Sequence, residues 1–152
     1  MDEEDNLAGT SVAILNDLDG DGLSELVIGA PEADSSSGTT KVGEVRVLLS
    51  GGALSGGGAE VAYTDADITI QGAARYDYFG ERLLATGDIE GDGLPDLVVL
   101  APGVNPYGGF GDGVVYVFTS SGALASGASS LTADDADISP EDTELCDGVD
   151  ND

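Results

Sequence analysis

The chain has 152 residues, with 30 Asp and Glu against 4 Lys and Arg, and a formal net charge of −26. That length suits one domain of ordinary size, and that charge argues against nucleic acid and anionic membrane surfaces as partners. No apolar run reaches the ~18 residues of a membrane-spanning helix, and a chain without His and with one Cys, Cys146, offers neither an imidazole base nor an internal disulfide.

Glycine is frequent at 24 residues, Trp is absent, and helix formers nowhere gather into an amphipathic pattern. Short strands joined by turns are therefore expected. The opening Met1-Asp2-Glu3-Glu4-Asp5 is the opposite of a signal peptide. Either the chain is cytosolic or a leader lies outside it.

Residues 10–15 read as a first strand. Next comes Asp17-Leu18-Asp19-Gly20-Asp21-Gly22-Leu23-Ser24-Glu25, with acids at positions 1, 3, 5 and 9 and Gly at position 6. Acids on alternate residues of a tight loop can face one centre, joined by the carbonyl of Leu23 at position 7. Such an all-oxygen cage suits a hard cation such as Ca²⁺. Without a counter-ion, each close carboxylate pair would repel by roughly 4 kcal/mol at an effective dielectric near 20. The other reading is a solvated Asp-Gly turn. An EF-hand is the rival reading, and Ile28 at position 12 and the strand-like apolar run that follows argue against it.

That run, 26–30, is a buried strand closed by Pro31. The loop 32–42 carries Glu32, Asp34 and Lys41. Strands at 44–50 and 67–71 follow, separated by a stretch of Gly, Ala and Ser. The loop 72–78 holds Tyr76 and Tyr78. After a strand at 81–86, the acidic loop returns as Asp88-Ile89-Glu90-Gly91-Asp92-Gly93-Leu94-Pro95-Asp96, with Val99 at position 12. Asp88, Glu90, Asp92, Asp96 and the Leu94 carbonyl are the matching donors, which makes two Ca²⁺ sites. Strands at 97–101, 114–119 and 136–139 complete the series, and the loop 103–112 holds Tyr107 and Phe110.

The chain superposes on itself at a shift of about 70 residues. Ala8-Gly9 falls on Phe79-Gly80, Ala30-Pro31 on Ala101-Pro102, and Asp65-Ala66-Asp67-Ile68 on Asp135-Ala136-Asp137-Ile138. Two units, 6–74 and 75–139, each hold four strand candidates. Four antiparallel strands repeated radially describe a β-propeller blade, so the expected fold is all-β, two blades of a partial propeller.

Phe79-Gly80, the loop 88–96, Gly29-Ala30-Pro31 and Ala101-Pro102 resemble the FG-GAP repeats of the integrin α-chain β-propeller and related secreted proteins. The departures are Ala8 in place of Phe, and Glu25 and Glu90 where Asp is usual. The resemblance implies a ring of seven blades, so further blades of a longer chain are expected partners. It also implies a cell-surface or secreted location, with Ca²⁺ in a structural role. The tail 140–152 resembles the opening of a Cys-Asp-Gly-Val-Asp-Asn-Asp-Cys metal-binding repeat. The other reading is a disordered acidic end, and no metal is assigned to it.

Antiparallel order puts the acidic loops on a lower face and the loops 32–42, 72–78 and 103–112 on an upper one. In integrins the upper face receives ligand. Tyr76, Tyr78, Tyr107 and Phe110 are therefore candidate anchors for a protein or glycan, while Phe79 belongs to the core. The chain reads as an adhesion or recognition module and not as an enzyme. The alternative is a non-catalytic accessory or spacer within a larger secreted or cell-surface protein, which could itself be an enzyme.

Overall fold

The computed structural model describes residues 6–56, 60–104 and 113–139. Among them there is no α-helix, only eight strands and short 3-10 turns. The strands are β1 (Ser11–Asn16), β2 (Ser24–Ala30), β3 (Glu44–Leu48), β4 (Ile68–Gln71), β5 (Arg82–Ala85), β6 (Leu97–Ala101), β7 (Val114–Phe118) and β8 (Ser130–Thr132). β1 to β4 pair in sequence order, each antiparallel to the last. β5, β6 and β7 form a second antiparallel sheet.

Strand boundaries fall within two residues of the sequence reading, except at the end of the second unit. There the expected strand 136–139 is reduced to a single bridge, Ile138 to Val117. Its counterpart β4 pairs with β3 from Val47↔Ile68 to Glu44↔Gln71. The N–H of Thr69 points away from β3, to the Ser129 carbonyl, so alternation turns the next N–H toward β3. In the second unit that next position is Pro140, which has no N–H to give. The connection that precedes it supplies an unexpected strand instead. β8 adds to the outer edge of β4 in parallel, with Ile70 opposite Leu131, so the second unit grips the first one's edge.

The core lies between the two sheets. Leu15, Val27, Val45, Val47 and Ile70 of the first face Leu97, Val99, Tyr116 and Phe118 of the second. Phe79 is fully buried in this layer, edge-on to Tyr116 at 5.5 Å and to Phe118 at 6.1 Å. The two units approach closely where Gly29 of β2 meets Gly80, just ahead of β5. A Cβ on Gly29 would sit 2.2 Å from the Gly80 carbonyl oxygen, and the Ser11 hydroxyl donates to that same oxygen at 2.7 Å.

Strand alternation leaves a second apolar face on each sheet. Val12 and Ile14 are exposed on one side, Leu84 and Val115 on the other. Under the repeat, Val12 matches the core-packed Leu83, and Val115 matches the buried Val45. The free faces thus have the character of the buried ones.

Candidate metal centre

The first acidic loop joins β1 to β2. Three of its residues adopt left-handed backbone: Asp17 at φ 57°, Gly20 at 79° and Gly22 at 87°. These turns let the acids fold back on their own loop. Asp17 Oδ1 accepts from the Gly22 N–H at 2.8 Å, Asp19 Oδ1 from Asp21 at 3.2 Å, and Asp21 Oδ1 from Leu23 at 2.8 Å. Asp17, Asp19 and Asp21 each present an oxygen within 4.8 Å of the others. Like charges held that close suit a cation at their centre.

Glu25, at position 9, is only 1% exposed. Its Oε2 accepts from the Leu18 N–H at 2.6 Å, while Oε1 is buried without a hydrogen-bond partner. Burial pushes this carboxyl up from its ordinary value against the pull of the Leu18 bond, and the charges of Asp19 and Asp21 push it further. Ser50, just past β3, donates its hydroxyl to Asp21 Oδ2 at 2.6 Å.

The second loop joins β5 to β6 with the same glycine turns, Gly91 at φ 87° and Gly93 at 94°. Asp92 repeats the contacts of Asp21, while Asp88, Glu90 and Asp96 are committed differently from their counterparts. Asp88 accepts from the N–H groups of Gly91, Asp92 and Gly93. Those bonds, the one from Gly93 foremost, hold its carboxyl below the usual value. Asp92 accepts from Leu94 at 2.8 Å and from the Ser120 hydroxyl at 3.0 Å. Glu90 accepts from the Ser121 N–H at 3.2 Å. Asp96, wholly buried, accepts from the Ile89 N–H at 2.6 Å and the Ser120 N–H at 3.0 Å. Among the described residues, only Asp17, Asp19 and Asp21 form a close trio of acids.

Sequence reading missed the two serines and the first glycine of each loop, Gly20 and Gly91. The signal was present: Ser50 and Ser120 are 70 residues apart, just past β3 and β7. A second pair of acids, Asp67 and Asp137, was noted in the repeat without a role. Asp67 Oδ2 ties the N–H groups of Leu49 and Ala53, and Asp137 Oδ2 those of Thr119 and Ala123. Each clamps the turn that carries its serine to the acidic loop.

At the opposite end of the sheets, the loop 72–78 packs on the loop 31–43 through Tyr76 N–H to Thr40 and Tyr78 N–H to Lys41. Lys41, Tyr76 and Tyr78 all have positive φ, at 50°, 66° and 53°, a conformation unusual for non-Gly residues. The two tyrosine rings stack at 6.3 Å. Arg75 lies 4.6 Å from the Tyr76 ring and donates to its hydroxyl, and Lys41 pairs with Glu32 at 2.8 Å. Tyr76 is exposed and Tyr78 half-buried. Tyr107, Phe110 and the tail with Cys146 lie outside the described residues.

A family model described as FG-GAP repeat matches residues 8–48 and 79–118, together more than half of the chain. The chain belongs to the FG-GAP repeat family. Its two sheets are accordingly blades of a β-propeller. Among curated relatives, integrin alpha-PS2 of Drosophila melanogaster is 40% identical over 109 residues, 70% of this chain and 7% of that protein. Integrin alpha-IIb of Mus musculus is 37% identical over 112 residues, covering 72% and 10%. Integrin alpha-X of Homo sapiens is 34% identical over 95 residues, covering 62% and 8%. The chain thus spans a tenth or less of the length of these relatives. No helix among the described residues is long and apolar enough to cross a membrane.

Proposed function

We propose that this FG-GAP segment is a Ca²⁺-braced portion of an extracellular or cell-surface β-propeller used for adhesion, or for recognition of a protein or glycan. The observation that carries the reading is the convergence of Asp17, Asp19 and Asp21 beside the buried, bare Glu25 oxygen. Asp17, Asp19, Asp21, Glu25 and the Leu23 carbonyl hold one ion. Asp88, Glu90, Asp92, Asp96 and the Leu94 carbonyl hold the other. Bound Ca²⁺ neutralises acids that otherwise repel and fixes the turn that feeds each second strand. Its role is structural, and the segment itself is not an enzyme.

Residues 6–74 and 75–139 are taken as the two blades, with 140–152 as an acidic tail. The free faces around Val12, Ile14, Leu84 and Val115 are covered by further blades, because their counterparts under the repeat lie in the present interface. Partner contacts fall to the loops at the other end, where Tyr76 and Tyr78 present aromatic surface beside two of the chain's four cations. Tyr107 and Phe110, outside the described residues, are kept with them as candidate anchors. Non-Gly residues at positive φ, Lys41, Tyr76 and Tyr78, gather in the loops 31–43 and 72–78, which favours a functional role for them.

Chelation tests the cation reading. An ion at ten times its Kd stabilises the folded state by about 1.4 kcal/mol per site. Thermal melts in Ca²⁺ and in chelator should therefore differ by several degrees. Superimposable melts, with no heat of Ca²⁺ uptake, would remove the ion from the account.

A further inference from the structure

We infer that the two loops are unequal Ca²⁺ sites, the first filling at a concentration at least tenfold lower than the second. This deepens the Ca²⁺ reading above and rests on it. The sequence alone suggests the reverse, since the second loop keeps Asp at position 9 and the first has a longer acid there.

Position 9 decides the difference. The short side chain of Asp96 places both oxygens on backbone donors, the N–H groups of Ile89 and Ser120. Glu25 takes one hydrogen bond, from the Leu18 N–H; the Ser50 hydroxyl near it is given to Asp21, and the other Glu25 oxygen lies buried beside Asp19 and Asp21 without a hydrogen-bond partner. A buried carboxylate oxygen without a partner is disfavoured, and more so next to two like charges. No cation of the protein answers it: Lys41 is paired with Glu32 and Arg46 with Glu44, Arg75 serves Tyr76, and Arg82 lies on β5. Ca²⁺ at this point relieves the buried oxygen and the repulsion together.

The remaining acids lean the same way. Asp17, Asp19 and Asp21 already converge. Asp21 and Asp92 are tied alike, each to one N–H and one serine hydroxyl, but in the second loop Asp88 is held by three N–H groups where Asp17 is held by one. The Asp88 oxygens have lone pairs to spare, so the loop stays open to an ion. Asp88 gains less from one than Asp17 does, because its charge is already partly answered.

Calorimetric titration of the full chain with Ca²⁺ alone tests the inference, using wild type, Asp19→Asn, Asp92→Asn and Glu25→Gln. Wild type should show two steps at least tenfold apart. Asp19→Asn should lose the tighter step and keep the weaker, and Asp92→Asn should do the opposite. Glu25→Gln keeps an acceptor for Leu18 and nearly the same shape, so it should fold and yet weaken the tighter step by tenfold or more. Two equivalent sites would overturn the inference and leave the Ca²⁺ reading intact. So would a tighter step that survives Asp19→Asn or Glu25→Gln. Absence of any Ca²⁺ uptake would overturn both.

Discussion

Replacing Phe79 by Ala should cost this chain more than any other single truncation in its core. The ring is fully buried between the two sheets and meets Tyr116 and Phe118 edge-on. Its backbone is pinned as well: Phe79 bridges Gly43 in parallel and donates its N–H to the Val42 carbonyl. The walls of the resulting cavity are paired strands and glycine turns, which cannot collapse to refill it. A buried Phe→Ala change costs about 3–5 kcal/mol, with the high end at sites that do not relax. For a domain of this size each kcal/mol lowers Tm by roughly 4 °C, so a loss of about 4 kcal/mol means a fall of roughly 15 °C. Urea unfolding followed by far-UV circular dichroism measures the loss directly. The paired control is Ala8→Phe, at the exposed counterpart in the first unit, where a change within about 0.5 kcal/mol is expected. A loss at Phe79 below about 1.5 kcal/mol would refute the view that this ring seats the two blades on each other.

Other outcomes follow from single contacts. Gly122→Ala puts a Cβ 2.0 Å from Asp137 Oδ1, while the other oxygen of that carboxylate holds Thr119 and Ala123. A loss of about 1–3 kcal/mol by urea unfolding is expected, and Gly52→Ala against Asp67 should match it. Asp77 is buried, and burial raises its carboxyl above the ordinary value against the pull of the Ala74 N–H bond. Its charged form is therefore the disfavoured one in the folded state. Its contribution to stability is fully present below the ordinary carboxylate pKa and is lost as pH rises through the raised value. The stability difference between wild type and Asp77→Asn, followed against pH in cation-free buffer, should shift against wild type across that window. A flat difference would contradict the assignment.

Much of the architecture was legible because the chain states it twice. The acidic loops, the Pro-closed strands and the 70-residue shift place three strands of each unit in order. The fourth strand of the second unit, expected at 136–139 from the repeat, was over-read: Pro140 has no N–H for the ladder, and only the bridge at Ile138 forms. β8 was missed: three residues of Ser-Leu-Thr find their partner on β4, some sixty residues away. At the metal centre the donors were readable from spacing, but the difference between the loops was not. It depends on which N–H each side chain reaches, and one methylene between Glu25 and Asp96 changes that.

The most direct measurement is a crystal structure of this chain grown in Ca²⁺, with the ion located by its anomalous signal. Density at the centre of Asp17, Asp19 and Asp21 is expected, with carboxylate oxygens and the Leu23 carbonyl at roughly 2.3–2.6 Å and Glu25 Oε1 turned toward the ion. A loop whose acids splay into solvent at saturating Ca²⁺, with no anomalous peak between them, would contradict the account.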